Sequence, residues 1–116
     1  MNPDNVNVVT TGTKLSSTSA TACYTAPAAS VAQVKSILVI NTDSSVRNAT
    51  VAWFDDSTST SYTLLHQGKV PINGCIKIPI PEGMQIDPGD EIRVTASAAD
   101  TLQVIVNVVE TVGRSG

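Results

Sequence analysis

Apolar residues return along this chain at every second position, in short runs broken by Pro, Gly, Asn and Asp, and no segment keeps a convincing helical period. Ile92, Val94 and Ala96 alternate with Arg93, Thr95 and Ser97, the pattern of a strand with one face buried. Leu102, Val104, Val106 and Val108 share one face against Ile105 and Val109 on the other, which predicts a long, central last strand. Val31 to Asn41 is apolar on both sides. Strict alternation there sets Ala32, Val34, Leu38 and Ile40 against Val31, Ile37 and Val39.

Further strands are expected over Ala20–Ala26, stopped by Pro27, over Ala49–Asp55, and over Tyr62–Val70, ended by Pro71. Ile76, Ile78 and Ile80 alternate with Lys77, Pro79 and Pro81, which predicts a half-buried strand near a sheet edge, and a short piece follows at Met84–Ile86. Asn73-Gly74 suits the centre of a type I′ turn, and Asp87-Pro88-Gly89-Asp90 is a second dense turn. The Asn-, Thr- and Ser-rich start, with Val6, Val8 and Val9 as its apolar cluster, reads as an arm or edge strand over residues 1–19. Eight or nine strands over 20–112, with a short tail at 113–116, predict one all-β antiparallel β-sandwich, either a jelly roll or immunoglobulin-like.

Length agrees with a single core, since 116 residues is the size of one domain. Only 3% of residues are aromatic (Tyr24, Trp53, Phe54 and Tyr62), so Val, Ile, Leu and Ala must fill the interior, and β-branched filling favours strands. Seven basic side chains against ten acidic ones give a net charge of −3, with the cations scattered singly. Phosphate binding needs a basic stripe, so no nucleic-acid partner is expected. No run approaches the about 20 apolar residues of a membrane helix, so no membrane partner is expected, and the polar start lacks the pattern of an export signal. Cys23 and Cys75 could form one bridge, but each sits in an expected strand, where a buried free thiol is the preferred reading.

Catalysis finds little to work with. The sole histidine, His66, lies in an expected strand without a nucleophile elbow or acid motif nearby, and two distant cysteines with one histidine make a poor zinc set. Asp55-Asp56 and Asp87, Asp90 and Glu91 could hold calcium in a loop, but acidic residues that cap turns explain them more simply. No phosphate-binding glycine loop occurs, and no cofactor is expected. The reading is of a protein that is not an enzyme.

The order Tyr24-Thr25-Ala26-Pro27-Ala28, then Val34-Lys35-Ser36-Ile37-Leu38-Val39-Ile40-Asn41-Thr42-Asp43, then Asp87-Pro88-Gly89-Asp90-Glu91-Ile92-Arg93-Val94 with Ala96-Ser97-Ala98, resembles small virion structural proteins of tailed bacteriophages. The resemblance covers roughly Thr21 to Glu110 and implies a β-sandwich with a structural role in the particle. That role is capsid decoration (cement) or a neck or tail accessory, made in the host cytoplasm and residing in the virion. It implies a homo-oligomer, with a trimer expected, against the major capsid protein or neck and tail proteins, and it transfers no catalytic residues. Strands apolar on both faces fit burial by neighbouring subunits, and Ile37, Val39, Trp53, Ile105 and Val109 are the candidates for a layer outside the main core. The rival reading is a carbohydrate- or receptor-binding module using Trp53-Phe54-Asp55-Asp56.

Overall fold

The computed structural model describes residues 6–112, and nine strands run through them. They are β1 (Val6–Lys14), β2 (Thr21–Thr25), β3 (Ser30–Asn41), β4 (Arg47–Asp55), β5 (Thr60–Val70), β6 (Cys75–Lys77), β7 (Gln85–Ile86), β8 (Glu91–Ala96) and β9 (Leu102–Val112). All pairings are antiparallel. One sheet, here called A, has the order β1-β9-β3-β6, with β7 also paired to β3; the other, sheet B, has the order β2-β8-β4-β5. The chain pairs its ends first (β1 with β9, then β2 with β8) and closes on the β4–β5 hairpin, as a long hairpin wound into two sheets does. This is a jelly roll, which decides between the two topologies the sequence allowed. The opening stretch supplies β1, an edge strand of sheet A that belongs to the sandwich; the expected tail at 113–116 lies outside the described residues.

The core lies between the sheets. Ile37, Val39, Leu102, Val104, Val106 and Val108 from sheet A join Val51, Ile92 and Val94 from sheet B in one buried cluster, with Leu15, Val70, Ile78 and Ile86 closing it. β9 keeps the predicted alternation along its whole length, being buried at each even position from Leu102 to Glu110, and it is central between β1 and β3. β3 does not keep it. Val34 pairs with Val108 but Ser36 pairs with Asn107, so Lys35 is an extra residue, a β-bulge. One inserted residue flips every later side chain to the other face. Ile37 and Val39 therefore turn inward with Ala32 and Val34, and Leu38 and Ile40 turn outward.

Turn chemistry explains the remaining departures. Pro71, Ile72, Asn73 and Gly74 form a turn closed by Gly74 N–H donating to the Pro71 carbonyl, with only Asn73 at positive φ (50°). That is type II geometry, not the type I′ turn expected at Asn73-Gly74. Pro81–Met84 and Asp87–Asp90 close in the same way on Gly83 (φ 75°) and Gly89 (φ 88°). The expected strand through Ile80 stops at Lys77, because Pro79 and Pro81 have no N–H to continue the ladder. Ile78 alone continues the contact, its N–H donating to the Ile37 carbonyl at 2.9 Å.

Candidate interaction surface

The outer faces of the two sheets differ in chemistry. On sheet B the outward rows join Thr50 to Thr95, Ala52 to Arg93 and Phe54 to Glu91. Arg93 lies over the Phe54 ring, 3.7 Å from its centroid, and its Nε donates to Glu91 at 2.6 Å. The one large ring on this face is thus covered by a paired cation, as suits a surface that meets water.

Sheet A carries apolar side chains on its outer face as well, set among polar ones. Its register stacks Val8 beside Val109 beside Gln33, and Gly12 beside Ile105 beside Leu38, with Ile40 beside Gln103 in a further row. A polar stripe divides the two apolar parts: Thr10 Oγ1 donates to Asn107 Oδ1 at 2.6 Å, and Asn107 Nδ2 donates to Ser36 Oγ at 2.8 Å. Val8 is 80% exposed, while Val31, Leu38, Ile40, Ile105 and Val109 are half-buried. Two shallow hollows open here, one of about 300 Å³ between Val31, Gln33, Val109 and Thr111, the other of about 520 Å³ between Leu38, Ile40, Asn73 and Cys75. Both are lined by a mixture of aliphatic and uncharged polar side chains, and neither brings together an acid, a base and a nucleophile.

Of the five residues expected outside the core, Ile105 and Val109 lie on this face. Ile37 and Val39 do not: both are completely buried between the sheets, because the Lys35 bulge exchanges them with Leu38 and Ile40. Trp53 is on sheet B, half-buried against the core. Its indole N–H donates to Asp90 Oδ2 at 3.1 Å, and its ring stacks on Tyr62 with centroids 5.1 Å apart. The side chain singled out for a ligand-binding module is therefore engaged within the chain.

The acidic loops are clasps. Asp90, 2% exposed, accepts from the backbone N–H of Asp56 and of Asp87, at 3.0 Å each, besides Trp53, and so ties two loops and the end of β4 together at one end of the sandwich. Asp55 accepts from the Ser57 hydroxyl at 2.8 Å and from the Ser57 backbone N–H, and these bonds hold its carboxyl below the ordinary value. Among the described residues no group of three or more His, Cys, Asp or Glu is placed to hold a metal ion. His66 is exposed on β5.

The cysteines do not meet. Cys23 is buried in β2, where burial pushes its thiol up to about 11, partly offset by hydrogen bonds with Thr13 and Val94. Cys75 is exposed on β6, at the rim of the outer face of sheet A, not buried as its strand position suggested. Tyr24, beside Cys23, donates its hydroxyl to Glu110 Oε2 at 2.6 Å across the sandwich; burial first, and the neighbouring carboxylate second, raise its phenol above the ordinary value.

No protein-family model matches the chain, and no curated protein sequence does. Among solved structures, the chain is similar to one reported for Bacillus endospore appendages, described as disulfide-linked pili, with a TM-score of 0.57 and 12% identity over 94% of this chain and 88% of that one. It also aligns with the CBM22-1–GH10 modules of a Clostridium thermocellum xylanase, Xyn10B, at a TM-score of 0.30 and 11% identity, over 97% of this chain and 27% of that one. The first likeness establishes the all-β sandwich fold; the second is too low to carry an argument. Fold and surface together define a jelly-roll module whose sheet A carries two apolar clusters on its outer face.

Proposed function

We propose that this chain is a non-enzymatic structural subunit of a tailed-bacteriophage virion, a capsid decoration protein that binds the head and its own copies through the outer face of sheet A. The observation that carries the reading is the one-sided chemistry of the sandwich. Sheet B turns an ion-paired face to water, whereas sheet A presents half-buried Leu38, Ile40, Ile105 and Val109 in register. Apolar clusters rimmed by polar residues on an exposed face mark interaction sites. Repeated copies on a lattice add weak contacts of this kind into stable attachment.

Two further points support the assignment to a virion. The sequence resemblance spans most of the chain, and the appendage pili show that a sandwich of this fold can serve as the unit of a repeated assembly. Self-association through sheet A and contact with the major capsid protein are then parts of one role; a neck or tail site uses the same surface against a different neighbour.

The test is protein mass spectrometry on particles purified from the source culture, followed by immunogold labelling with antibody to this chain. The chain should co-purify with intact particles in many copies and label the head. Label confined to the neck or tail would move it to the accessory role. Absence from the particles would overturn the virion reading.

A further inference from the structure

A sandwich has four sheet edges, and three of these are blunted. β2 is five residues long with a register shift between Ala22 and Tyr24. β5 carries two register irregularities against β4, a positive φ of 47° at Gln67, and Lys69. β6 and β7 have three and two residues and are separated by a segment containing Pro79 and Pro81. Such features keep a strand edge from pairing with another chain.

β1 has none of them. Its nine residues pair with β9 from Val6↔Thr111 to Lys14↔Gln103 without a shift, it contains no proline, and its one charge, Lys14, stands at its end. Among the described residues nothing pairs with its other side. Leu15 N–H donates to the Leu102 carbonyl, which fixes the parity of the ladder. Asn7, Val9, Thr11 and Thr13 turn their backbone groups to β9. Val6, Val8, Thr10, Gly12 and Lys14 turn both N–H and C=O to the open side, and the same five carry their side chains on the outer face.

We infer that β1 is a self-pairing edge: two copies join antiparallel, β1 to β1, about a two-fold axis at Thr10, and merge their A sheets into one. This rests on the self-assembly reading above and adds to the outer-face contact a second one, at the edge of the same sheet. Antiparallel pairing matches residues whose open-side groups face each other, and the register centred on Thr10 is the one that uses all five. It sets Thr10 opposite Thr10, Val8 opposite Gly12 and Val6 opposite Lys14.

The side chains fit that register. Val8, 80% exposed, has no partner of its own size on the open side. Gly12 has no heavy atom within 4 Å of where a Cβ would stand, so the partner's Val8 lies over bare backbone beside Ile105. The contact is isologous and recurs twice by symmetry. Added main-chain hydrogen bonds supply affinity and the Val8–Gly12 pairs supply register, the mode of recognition known as β-augmentation. An isologous pair closes as a dimer, whereas the trimer expected from the sequence needs a heterologous contact.

Three proteins test this: the unaltered chain, Thr10→Lys and Thr10→Glu, each at a series of concentrations by light scattering, with circular dichroism melts as the folding control. Thr10 is exposed, so both variants should melt close to the unaltered chain. The unaltered chain should show at least twice the monomer mass, with the dimer as its smallest multimer. Each variant, which sets like charges face to face across the axis, should reach that mass only at concentrations at least about 10-fold higher, and an equimolar mixture of the two should return to the behaviour of the unaltered chain. Multimers that ignore both substitutions would overturn the β1 pairing while leaving self-assembly through the apolar face intact. A monomer throughout would overturn both.

Discussion

Replacing Asp90 by alanine removes the acceptor that ties together the loops after β4 and before β8. Three donors lose their partner: Trp53 Nε1 at 3.1 Å and the backbone N–H groups of Asp56 and Asp87 at 3.0 Å. A hydrogen bond to a charged acceptor contributes about 1.5–3 kcal/mol. The three share one carboxylate and are not additive, and alanine also relieves the cost of keeping a carboxylate at 2% exposure. The balance is a loss of about 2–4 kcal/mol. A domain of this length has about 6–17 kcal/mol to lose, so the variant still folds. With a urea m-value of about 2 kcal/mol/M its midpoint falls by roughly 1–2 M. Trp53 is the only tryptophan, so its fluorescence follows both the local contact and global unfolding. Asp90→Asn, which keeps one carbonyl acceptor, should fall between the two. A loss under about 0.5 kcal/mol for the alanine variant, the range of an unremarkable surface change, would refute the clasp.

Alkali should destabilise the fold through β2. The Cys23 thiol ionises near 9.0 when unfolded and at about 11 when folded, so its contribution is intact below pH 9.0 and is lost as the pH rises toward about 11; the raised Tyr24 phenol acts in the same direction at higher pH. Melting temperatures measured across that window should fall, and Cys23→Ala should flatten the first part of the fall. Thiol labelling separates the cysteines: a maleimide should modify Cys75 alone in the native protein and both cysteines in urea, since only Cys75 is exposed. Rapid native labelling of both would contradict the burial of Cys23. Tyr24→Phe should cost about 1–2 kcal/mol by thermal or urea unfolding, because it leaves the Glu110 carboxylate, 9% exposed, without its hydroxyl partner; an unchanged melting curve would mean that water replaces the bond.

Strands with an unbroken period were legible in the sequence. β9 and β8 have the expected faces, because nothing interrupts their alternation and each residue's side follows from its neighbour's. β3 was legible as a strand but not by face. The one charged residue in its apolar run, Lys35, is the inserted residue of the bulge, and a lysine that breaks such a run is the signal that could have marked it. Reading through it put Ile37 and Val39 outside and Leu38 and Ile40 inside, the reverse of the structure. Ile78 to Pro81 imitates a strand by alternation alone; ladder hydrogen bonding, which proline lacks, decides the matter. The Asp90 clasp joins residues more than thirty positions apart, so local turn chemistry explained the acidic loops but could not show that they share one carboxylate. The apolar outer face was legible in part, since Ile105 and Val109 follow from β9, while Val8 enters it only through the β1·β9 register.

Native mass, measured by light scattering over a concentration series for the unaltered chain and for the double variant Ile105→Ser with Val109→Ser, tests the central claim that the outer face of sheet A is an association surface. Both side chains are half-buried on that face rather than in the core, so the variant should fold. The account predicts a multimer for the unaltered chain and dissociation of the variant at concentrations at least about 10-fold higher, since each apolar side chain withdrawn from water contributes about 1.5–3 kcal/mol. An unaltered chain that stays monomeric at every concentration, or a variant whose mass matches it throughout, would contradict the account.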